Sequence, residues 1–254
     1  MKHIITEVRD KVLLIGINRI EKRNALNKEI MLELESTFSS IPDGIGCIVI
    51  HGFGDHFSAG LDLSELKEMD VEEGLYHSIA WRPILDKMQF GKVPVIAALH
   101  GACIGGGLEL ASAAHIRVAD ESTYYALPEG MRGIFVGGGG SVRIPRLVGT
   151  AVMMDMMLTG RIHNAEEGHR LGFSQYITEK GKHLEKSIEL ARRICDNAPM
   201  TNFALIQVLP RIADSTQDIG MMMESLTAAI TQSAPEAKRR LNDFLEGRAK
   251  KVKE

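Results

Sequence analysis

The sequence has few of the features that mark secreted, membrane or metal-cluster proteins. Its 254 residues include only three cysteines, Cys47, Cys103 and Cys195, which are far apart and form no C-x-x-C pair. An odd number at this spacing argues against a disulfide framework and against a zinc knuckle. The longest apolar stretches, Val93–Leu99 and Ala151–Leu158, are well short of the roughly 20 residues that a membrane helix needs. These absences favour an ordinary globular protein.

The charge of the chain is nearly balanced. Thirty Lys and Arg against 33 Asp and Glu give a formal net charge of −3, so we expect neither a nucleic acid nor an anionic membrane as partner. The first ten residues carry charged side chains and no apolar h-region, which predicts no signal peptide and a cytoplasmic location.

Basic residues gather only near the C-terminus of the chain. They are Lys238, Arg239, Arg240, Arg248, Lys250, Lys251 and Lys253. Cations at this place are expected to stabilise the end of a last helix. A contact with a phosphorylated ligand or with a neighbouring subunit is the alternative interpretation.

Two kinds of apolar pattern divide the chain. Short β-branched runs at Val12–Ile17, Cys47–His51 and Ile116–Ala119 predict strands, and helical spacing over Asn27–Phe38 predicts a helix between the first two. Val93–Leu99 does not alternate, which is typical of a strand buried on both faces. The sequence therefore predicts an α/β core domain with crossover helices over residues 1–195 and a helical part over residues 196–254.

The second half of the chain is mainly helical in its pattern. Asn164 followed by Glu167 predicts a capping box, and Gly172 predicts the end of that short helix. The other predicted helices are Thr150–Leu158, Lys182–Asn197, Met200–Ala213, Asp218–Gln232 and Pro235–Arg248.

Two glycine clusters are the first candidates for chemistry. The segment Gly101–Glu109 has neither the G-x-G-x-x-G spacing of a dinucleotide site nor the lysine of a phosphate loop. Its glycines at 105–107 would still let N–H groups at a helix N-terminus hold an anion or a developing oxyanion. The second cluster, Gly137–Gly140, precedes Ser141, which is expected to cap a helix. A flexible loop without function is the alternative for this cluster.

Two carboxylates flank these glycines. Glu109 and Glu129 both lie in apolar, glycine-rich surroundings, where two carboxyl groups brought together cannot both ionise easily. One would stay protonated near neutral pH, which would give an acid and a base in one site. The alternative is that each is a solvated surface group. A metal site at His51, Asp55 and His56 lacks a convincing third ligand, so a surface turn is the better interpretation there.

Several segments of the chain resemble the enoyl-CoA hydratase/isomerase (crotonase) superfamily, in order and at the family's spacing. They are Glu21–Asn27, His56–Leu63, Ala102–Glu109, Leu127–Glu129 and the stretch from Leu158 to Gly172. The resemblance runs nearly from end to end. It implies a crotonase-like spiral of β-β-α units with a helical C-terminal trimerisation part, assembled as a homotrimer or a dimer of trimers. It also implies an acyl-CoA thioester substrate, with no metal and no cofactor beyond the coenzyme A of that substrate.

The resemblance implies roles for individual residues. The backbone N–H groups of Leu61 and Gly106 would form an oxyanion hole for the thioester oxygen. Glu109 and Glu129 would be the catalytic acid–base pair. Coenzyme A and its pantetheine would be bound by Lys22, Arg23, Ala25, Ala59, Gly60, Asp62, Leu63, Pro128 and Gly137. His115 departs from the family pattern, which commonly has Asp there.

Glutamate at both catalytic positions is similar to the true hydratases. The implied reaction is syn addition of water across the 2,3 double bond of an enoyl-CoA through a stabilised enolate, with Glu109 deprotonating water and Glu129 protonating C2. An enoyl-CoA isomerase or a carnitinyl-CoA-dehydratase-like enzyme is the enzymatic alternative. A catalytically silent member that binds CoA or RNA is the alternative of another class. No residue of Met69–Gln89 indicates the acyl group.

Overall fold

The computed structural model describes residues 2–65 and 69–248, and its strands form two sheets. The strands are β1 Ile4–Arg9, β2 Val12–Ile17, β3 Cys47–Gly52, β4 Val95–Leu99, β5 Ala102–Ile104, β6 Ile116–Asp120, β7 Tyr124–Ala126, β8 His163–Asn164 and β9 Tyr176–Thr178. The main sheet has the order β1-β2-β3-β4-β6-β9, and the small sheet has the order β5-β7-β8. The β1–β2 pair is antiparallel, and the other neighbours in the main sheet are parallel.

Helices alternate with the strands in the first half of the chain and follow one another after β9. They are α1 Lys28–Ser39, α2 Val71–Gln89, α3 Gly106–Ser112, α4 Gly140–Val148, α5 Thr150–Thr159, α6 Ala165–Leu171, α7 His183–Cys195, α8 Pro199–Gln207, α9 Leu209–Ala213, α10 Gln217–Ser233 and α11 Pro235–Leu245. Short 3₁₀ turns lie at Ile20–Lys22, Leu63–Glu65 and Gly130–Arg132.

A second layer of short extended segments follows the main-sheet strands. Leu26, after β2, pairs in parallel with Leu61, after β3, and Ser58 pairs in parallel with Cys103 of β5. The small sheet continues this layer through β7, which follows β6, and β8. The chain therefore repeats a main-sheet strand, a second-layer segment and a helix. This repetition brings the segments after successive main-sheet strands side by side.

The central strands of the main sheet are buried on both faces because a different helix packs on each face. One core cluster includes Leu13, Ile15 and Ile17 of β2 together with Ile30 and Leu34 of α1. The other cluster places Val12, Leu14, Val49, Ile96 and Val118 against Ile188, Leu190 and Ala191 of α7. The strand predicted at Val93–Leu99 runs over Val95–Leu99, and all five of its residues are buried, which confirms the prediction that it is covered on both faces.

Most predicted elements are present within a few residues, and some differ for local reasons. Asn164 does form the predicted capping box, and Gly172 does end that helix. Ser141 is not a cap, because α4 already begins at Gly140 with Gly139 as its N-cap. The predicted helix Met200–Ala213 is two helices, because Pro210 lacks an N–H donor and fits only the first turn of a new helix.

Two histidines that the sequence singled out, His51 and His115, lie inside the fold. His51 is 7% exposed within β3, so the surface-turn interpretation was wrong for this residue. His115 ties two elements together, because its Nδ1 accepts from the N–H of Val95 at 2.9 Å and its Nε2 contacts the Gln89 carbonyl oxygen at 2.9 Å. Its role in the described part of the chain is to join the end of α2 to β4.

The C-terminal helices leave many large apolar side chains on the surface of the single chain. They include Phe203, Leu205, Ile219, Met221, Met222, Leu226, Ile230, Leu241, Phe244 and Leu245. Patches of this kind mark interaction surfaces in soluble proteins. Over residues 2–65 and 69–248, no helix is long and apolar enough to cross a membrane. Whether the core domain ends at residue 195 stays a prediction.

The basic residues near the C-terminus are partly neutralised by local pairs. Arg239 and Arg240 both contact Glu236 of the same helix, and Arg248 bonds to Asp243 at 2.8 Å. Lys250, Lys251 and Lys253 lie outside the described residues. Arg239 and Arg240 lie before the last turn of α11, which carries no basic residue. The expected placement of cations at the end of the last helix was therefore wrong for these two residues.

A pair of stacked histidines joins the residue after β4 to the first residue of α7. The rings of His100 and His183 are 4.4 Å apart, and His183 Nδ1 is 3.1 Å from Asp120 Oδ2. The pKa of His183 is lowered to about 4, mainly by burial and also by the nearby His100 ring, against the opposing charge of Asp120. A positive charge on His183 is therefore unfavourable in the folded protein.

This pair predicts a loss of stability in mild acid. In the unfolded chain His183 takes up a proton near pH 6.5, but the folded protein resists protonation until about pH 4. The free energy of unfolding should therefore fall between pH 6.5 and 4, by up to about 3 kcal/mol from this residue. Urea unfolding at several pH values measures it, and His183→Gln should remove this part of the slope. Equal slopes for both proteins over this range would contradict the prediction.

Candidate active site

A pocket of about 280 Å³ opens at the ends of the second-layer segments. It lies beside the segment after Ser58, the turn between β5 and α3, and the loop that follows β7. Eight of the predicted site residues line it: Ala59, Gly60, Leu61, Leu63, Gly106, Glu109, Glu129 and Gly137. The pairing of β5 with β7, in which Ile104 is opposite Ala126, brings the two glutamate-bearing segments to the same end of the small sheet.

The other five predicted contacts do not line this pocket. Ala25 and Arg23 lie on the segment before α1, which is bound to the segment after Ser58 because the Ala59 N–H donates to the Arg23 carbonyl at 2.9 Å. Lys22 precedes them and is exposed. Asp62 accepts a hydrogen bond from Arg19 at 2.8 Å. Pro128, half-buried, precedes Glu129 without reaching the cavity.

Two backbone N–H groups at the pocket have no hydrogen-bond partner among the residues that the structure describes. One belongs to Leu61, whose parallel bridge to Leu26 uses the N–H of Asp62 and the carbonyl of Gly60 instead of its own N–H. The other belongs to Gly106, the first residue of α3. A Cβ built on Gly106 would be 3.1 Å from the Leu61 nitrogen, so the two groups are close neighbours. Two free donors converging at a helix N-terminus suit an oxyanion.

Glu109 is held by the second glycine cluster. Its side chain projects from the first turn of α3 and is buried, with 4% of the residue exposed. Its Oε1 accepts hydrogen bonds from the N–H groups of Gly138 and Gly140, both at 2.8 Å. The four-glycine segment is thus a carboxylate-holding loop, which the flexible-loop interpretation did not anticipate.

Arg143 keeps the carboxylate-holding loop in place. It is buried on α4, donates to the Gly138 carbonyl at 3.1 Å, and pairs with Asp86 of α2 at 2.7 Å. It also donates to the Gln89 side chain at 2.6 Å. The loop that orients Glu109 is therefore fixed to α2 through one guanidinium group.

Glu129 has a different environment from Glu109. It follows β7 and is 8% exposed, and its Oε2 is buried without a hydrogen-bond partner among the described residues. A Cβ built on Gly105 would be 2.5 Å from its Oε1, so a side chain there would displace the carboxyl group. Gly105 also has a φ of +51°, which disfavours other residues. The close approach of this carboxyl group therefore depends on the first glycine of the cluster.

Burial raises the pKa of both glutamates. The pKa of Glu129 is raised to about 7, mainly by burial and further by the negative charge of Glu109. Burial also raises the pKa of Glu109, against the opposing hydrogen bonds from Gly140 and Gly138 and the charge of Arg143. Amide donors favour the ionised form of Glu109, and the unpartnered oxygen of Glu129 favours its protonated form. The pocket can hold one proton between two carboxyl groups near neutral pH.

Several pocket residues were not found from the sequence. His77 and Ser78 of α2 line the pocket, as does Arg132 in the turn after Glu129. Trp81, also on α2, is both buried and pocket-lining. The pocket residues of α2 could have been found only by predicting this helix. Its internal Pro83 and its mixture of polar and apolar residues obscure the helical spacing of its buried side chains.

The described residues hold no group of three or more His, Cys, Asp or Glu side chains that could bind a metal ion. The pocket itself presents two carboxyl groups and two N–H donors.

The fold and this site define the class to which the protein belongs. Residues 7–254 match the family model described as enoyl-CoA hydratase/isomerase, and the chain is a member of that family. A solved structure of a putative enoyl-CoA hydratase from Rhodopseudomonas palustris is 58% identical, covers 96% of this chain and 95% of its own, and superposes with a TM-score of 0.94. The predicted crotonase-like α/β fold with a helical C-terminal part is confirmed.

Curated relatives cover most of the chain as well. The short-chain-enoyl-CoA hydratase of Clostridium acetobutylicum is 30% identical over 98% of this chain and 96% of its own length. The crotonyl-CoA hydratase of Syntrophomonas wolfei is 31% identical over 76% of this chain and 75% of its own length.

Proposed function

We propose that the protein is an enoyl-CoA hydratase that adds water across the 2,3 double bond of an enoyl-CoA thioester. The observation that carries this proposal is the pocket itself, where Glu109 and Glu129 face two unpaired N–H groups of Leu61 and Gly106. The names of the relatives that span most of the chain support the same activity. An isomerase through the same enolate needs one carboxyl group to move one proton, so the second glutamate favours hydration.

The mechanism follows from the two protonation states. Ionised Glu109 takes a proton from water as the water oxygen bonds to C3, and the π electrons move to the thioester oxygen. The N–H groups of Leu61 and Gly106 donate to that oxyanion; losing one such donor typically costs about 3–4 kcal/mol of barrier. Protonated Glu129 then gives its proton to C2. One proton passes from Glu109 back to Glu129, through solvent, before the next turnover.

The coenzyme A part of the substrate would lie along two segments, the one before α1 and the one after Ser58. We assign its contacts to Lys22, Arg23, Ala25, Ala59, Gly60, Asp62, Leu63, Pro128 and Gly137. Lys22 and Arg23 are exposed cations that suit phosphates. Asp62, by binding Arg19, would hold the loop's shape. The reaction needs no metal and no further cofactor, and a nucleic-acid partner and a location outside the cytoplasm are not expected.

The first experiment follows the absorbance of the conjugated thioester with a series of enoyl-CoA substrates. Water-dependent loss of absorbance, with a 3-hydroxyacyl-CoA product identified by mass spectrometry, is the expected result. A product with the double bond moved and no water added would favour the isomerase. Binding without turnover across the series would leave the silent, CoA-binding member as the better proposal.

We also propose that the exposed apolar faces of the C-terminal helices join copies of this chain into a trimer or a dimer of trimers. Light scattering should give a mass of three or six times 27.9 kDa. Leu226→Asp, on α10 and 58% exposed, should shift the mass toward one chain, because it places a charge in the interface. Val71→Asp, 92% exposed on α2, is the control that should keep the native mass. A native mass of 27.9 kDa would contradict the proposal.

A further inference from the structure

Trp81 forms a wall shared by two cavities. It lines the 280 Å³ pocket with the two glutamates, and it also lines a groove of about 990 Å³ between α1 and α2. Its side chain is held by packing, since only 6% of the residue is exposed. Removing the indole would therefore join the two spaces.

One edge of the indole faces the reacting part of the pocket. A Cβ built on Gly106 would be 3.6 Å from Trp81 Cζ3, and one built on Gly138 would be 3.3 Å from Cε3. Gly106 carries one oxyanion donor, and Gly138 binds Glu109. A chain that extends from the reacting carbons in this direction meets the six-membered ring of Trp81.

The groove on the other side is large and mainly apolar near Trp81. Met31 and Leu32 of α1 and Ala80 and Ile84 of α2 line it. Such a surface suits an alkyl chain. The pocket alone, at about 280 Å³, is smaller than the cavities that hold drug-sized ligands, which are about 300–1,000 Å³.

His77 lies one helical turn before Trp81 and belongs to the same wall. Its polar ring disfavours the passage of an alkyl chain from one cavity to the other. It lines both cavities, its ring is 5.9 Å from that of Trp81, and its Nε2 is buried without a partner among the described residues. Hydrocarbon packed against an unpaired ring nitrogen leaves that nitrogen without any hydrogen bond. The wall is thus bulky at one residue and polar at the next.

We propose that Trp81 sets the upper limit on acyl length, so that the enzyme takes short enoyl groups and the α1–α2 groove accepts the distal part of a longer chain only when the indole is removed. This inference rests on the proposed hydratase function and deepens it by naming the substrate class. Trp81 acts by contact with the acyl group and takes no part in proton transfer.

The kinetic test compares kcat/KM for crotonyl-CoA, hexenoyl-CoA and decenoyl-CoA. The native enzyme should prefer the four-carbon substrate, and Trp81→Ala should raise the decenoyl-to-crotonyl ratio by about tenfold or more, since single methylenes in an apolar pocket are worth about 10- to 200-fold. Trp81→Phe, which keeps a smaller aromatic wall, should lie between the two. Leu75→Ala, an exposed position of α2 that lines neither cavity, should keep the native ratio.

Two outcomes would overturn the inference. One is a native enzyme that hydrates decenoyl-CoA as fast as crotonyl-CoA. The other is a folded Trp81→Ala or Trp81→Phe variant with the native ratio.

A binding measurement tests the wall in the native protein without any substitution. Trp81 is the single tryptophan of the chain, so its fluorescence reports directly on this position. Saturated butyryl-CoA, which cannot be hydrated, should change the emission with saturation, whereas free coenzyme A should not. An equal response to both, or none to butyryl-CoA, would overturn the assignment of Trp81 to the acyl pocket. Because this readout needs no turnover, failure of the hydratase proposal is distinguishable from failure of this one.

Discussion

Glu129→Gln and Glu109→Gln are each expected to lower kcat for enoyl-CoA hydration by about 10²- to 10⁴-fold. Glutamine keeps the shape of the side chain but cannot give up or take a proton as a carboxyl group does. Both positions are buried in the same pocket, so no other described carboxylate is placed to substitute. The measurement is single-turnover hydration at saturating substrate, with acyl-CoA binding followed separately to show that the pocket is intact.

The matched control for these variants is Glu121→Gln. Glu121 is an exposed glutamate in the turn before β7, eight residues before Glu129, and its change should leave kcat unaltered. The pH profile adds a second check. Because Glu129 must be protonated to act as the acid and its pKa is about 7, native kcat/KM should fall as pH rises through that value. Native-like rates in either active-site variant would remove that glutamate from the mechanism.

Gly105→Ala is expected to reduce kcat by about 10²-fold or more, although position 105 carries no functional side chain. The new Cβ would be 2.5 Å from Glu129 Oε1 and must displace that carboxyl group. Misplacement of a reacting group by about 1 Å can cost about 10²-fold. The steady-state rate and a thermal unfolding curve should be measured together.

The control for this prediction is Gly44→Ala. Gly44 has a φ of +85° but nothing within 4 Å of a Cβ built there, whereas Gly105 has a φ of +51° and a carboxylate in that space. Both positions have a positive φ, which disfavours alanine, and only Gly105→Ala should affect the rate. A Gly105→Ala enzyme with the native rate would show that Glu129 does not need its observed position.

The sequence predicted well those elements in which buried apolar residues recur at the regular spacing of a strand or a helix. β2, β3 and α1 match within a residue or two, because their apolar residues follow the strand or helix period and Asn27 caps the helix. β1 was not predicted, since five of its six residues are exposed and the strand lies at the sheet edge. α2 was not predicted either, because Trp81, Ile84 and Leu85 pack on surfaces that only the tertiary fold provides.

The candidate site shows the same division. The two glutamates and the glycines at 105–107 could be singled out because their residue types are unusual for their apolar surroundings. The role of Gly137–Gly140 could not be predicted, since nothing in the local sequence indicates that its N–H groups bind a carboxylate on another helix. Leu61 was found only through the family resemblance, because a backbone donor leaves no mark on its own side chain. Contacts between distant segments have no local pattern from which to predict them.

The unpartnered oxygen of Glu129 makes ligand affinity a function of buffer conditions. With a pKa of about 7, this group carries a proton in about half of the free molecules at neutral pH. An acyl group that fills the pocket expels water and favours the neutral form further, so binding draws part of a proton from the surrounding solution. By reciprocity, acyl-CoA should bind more tightly as the medium becomes more acidic through this range. The enzyme would then sense the acidity of its compartment through substrate occupancy as well as through rate.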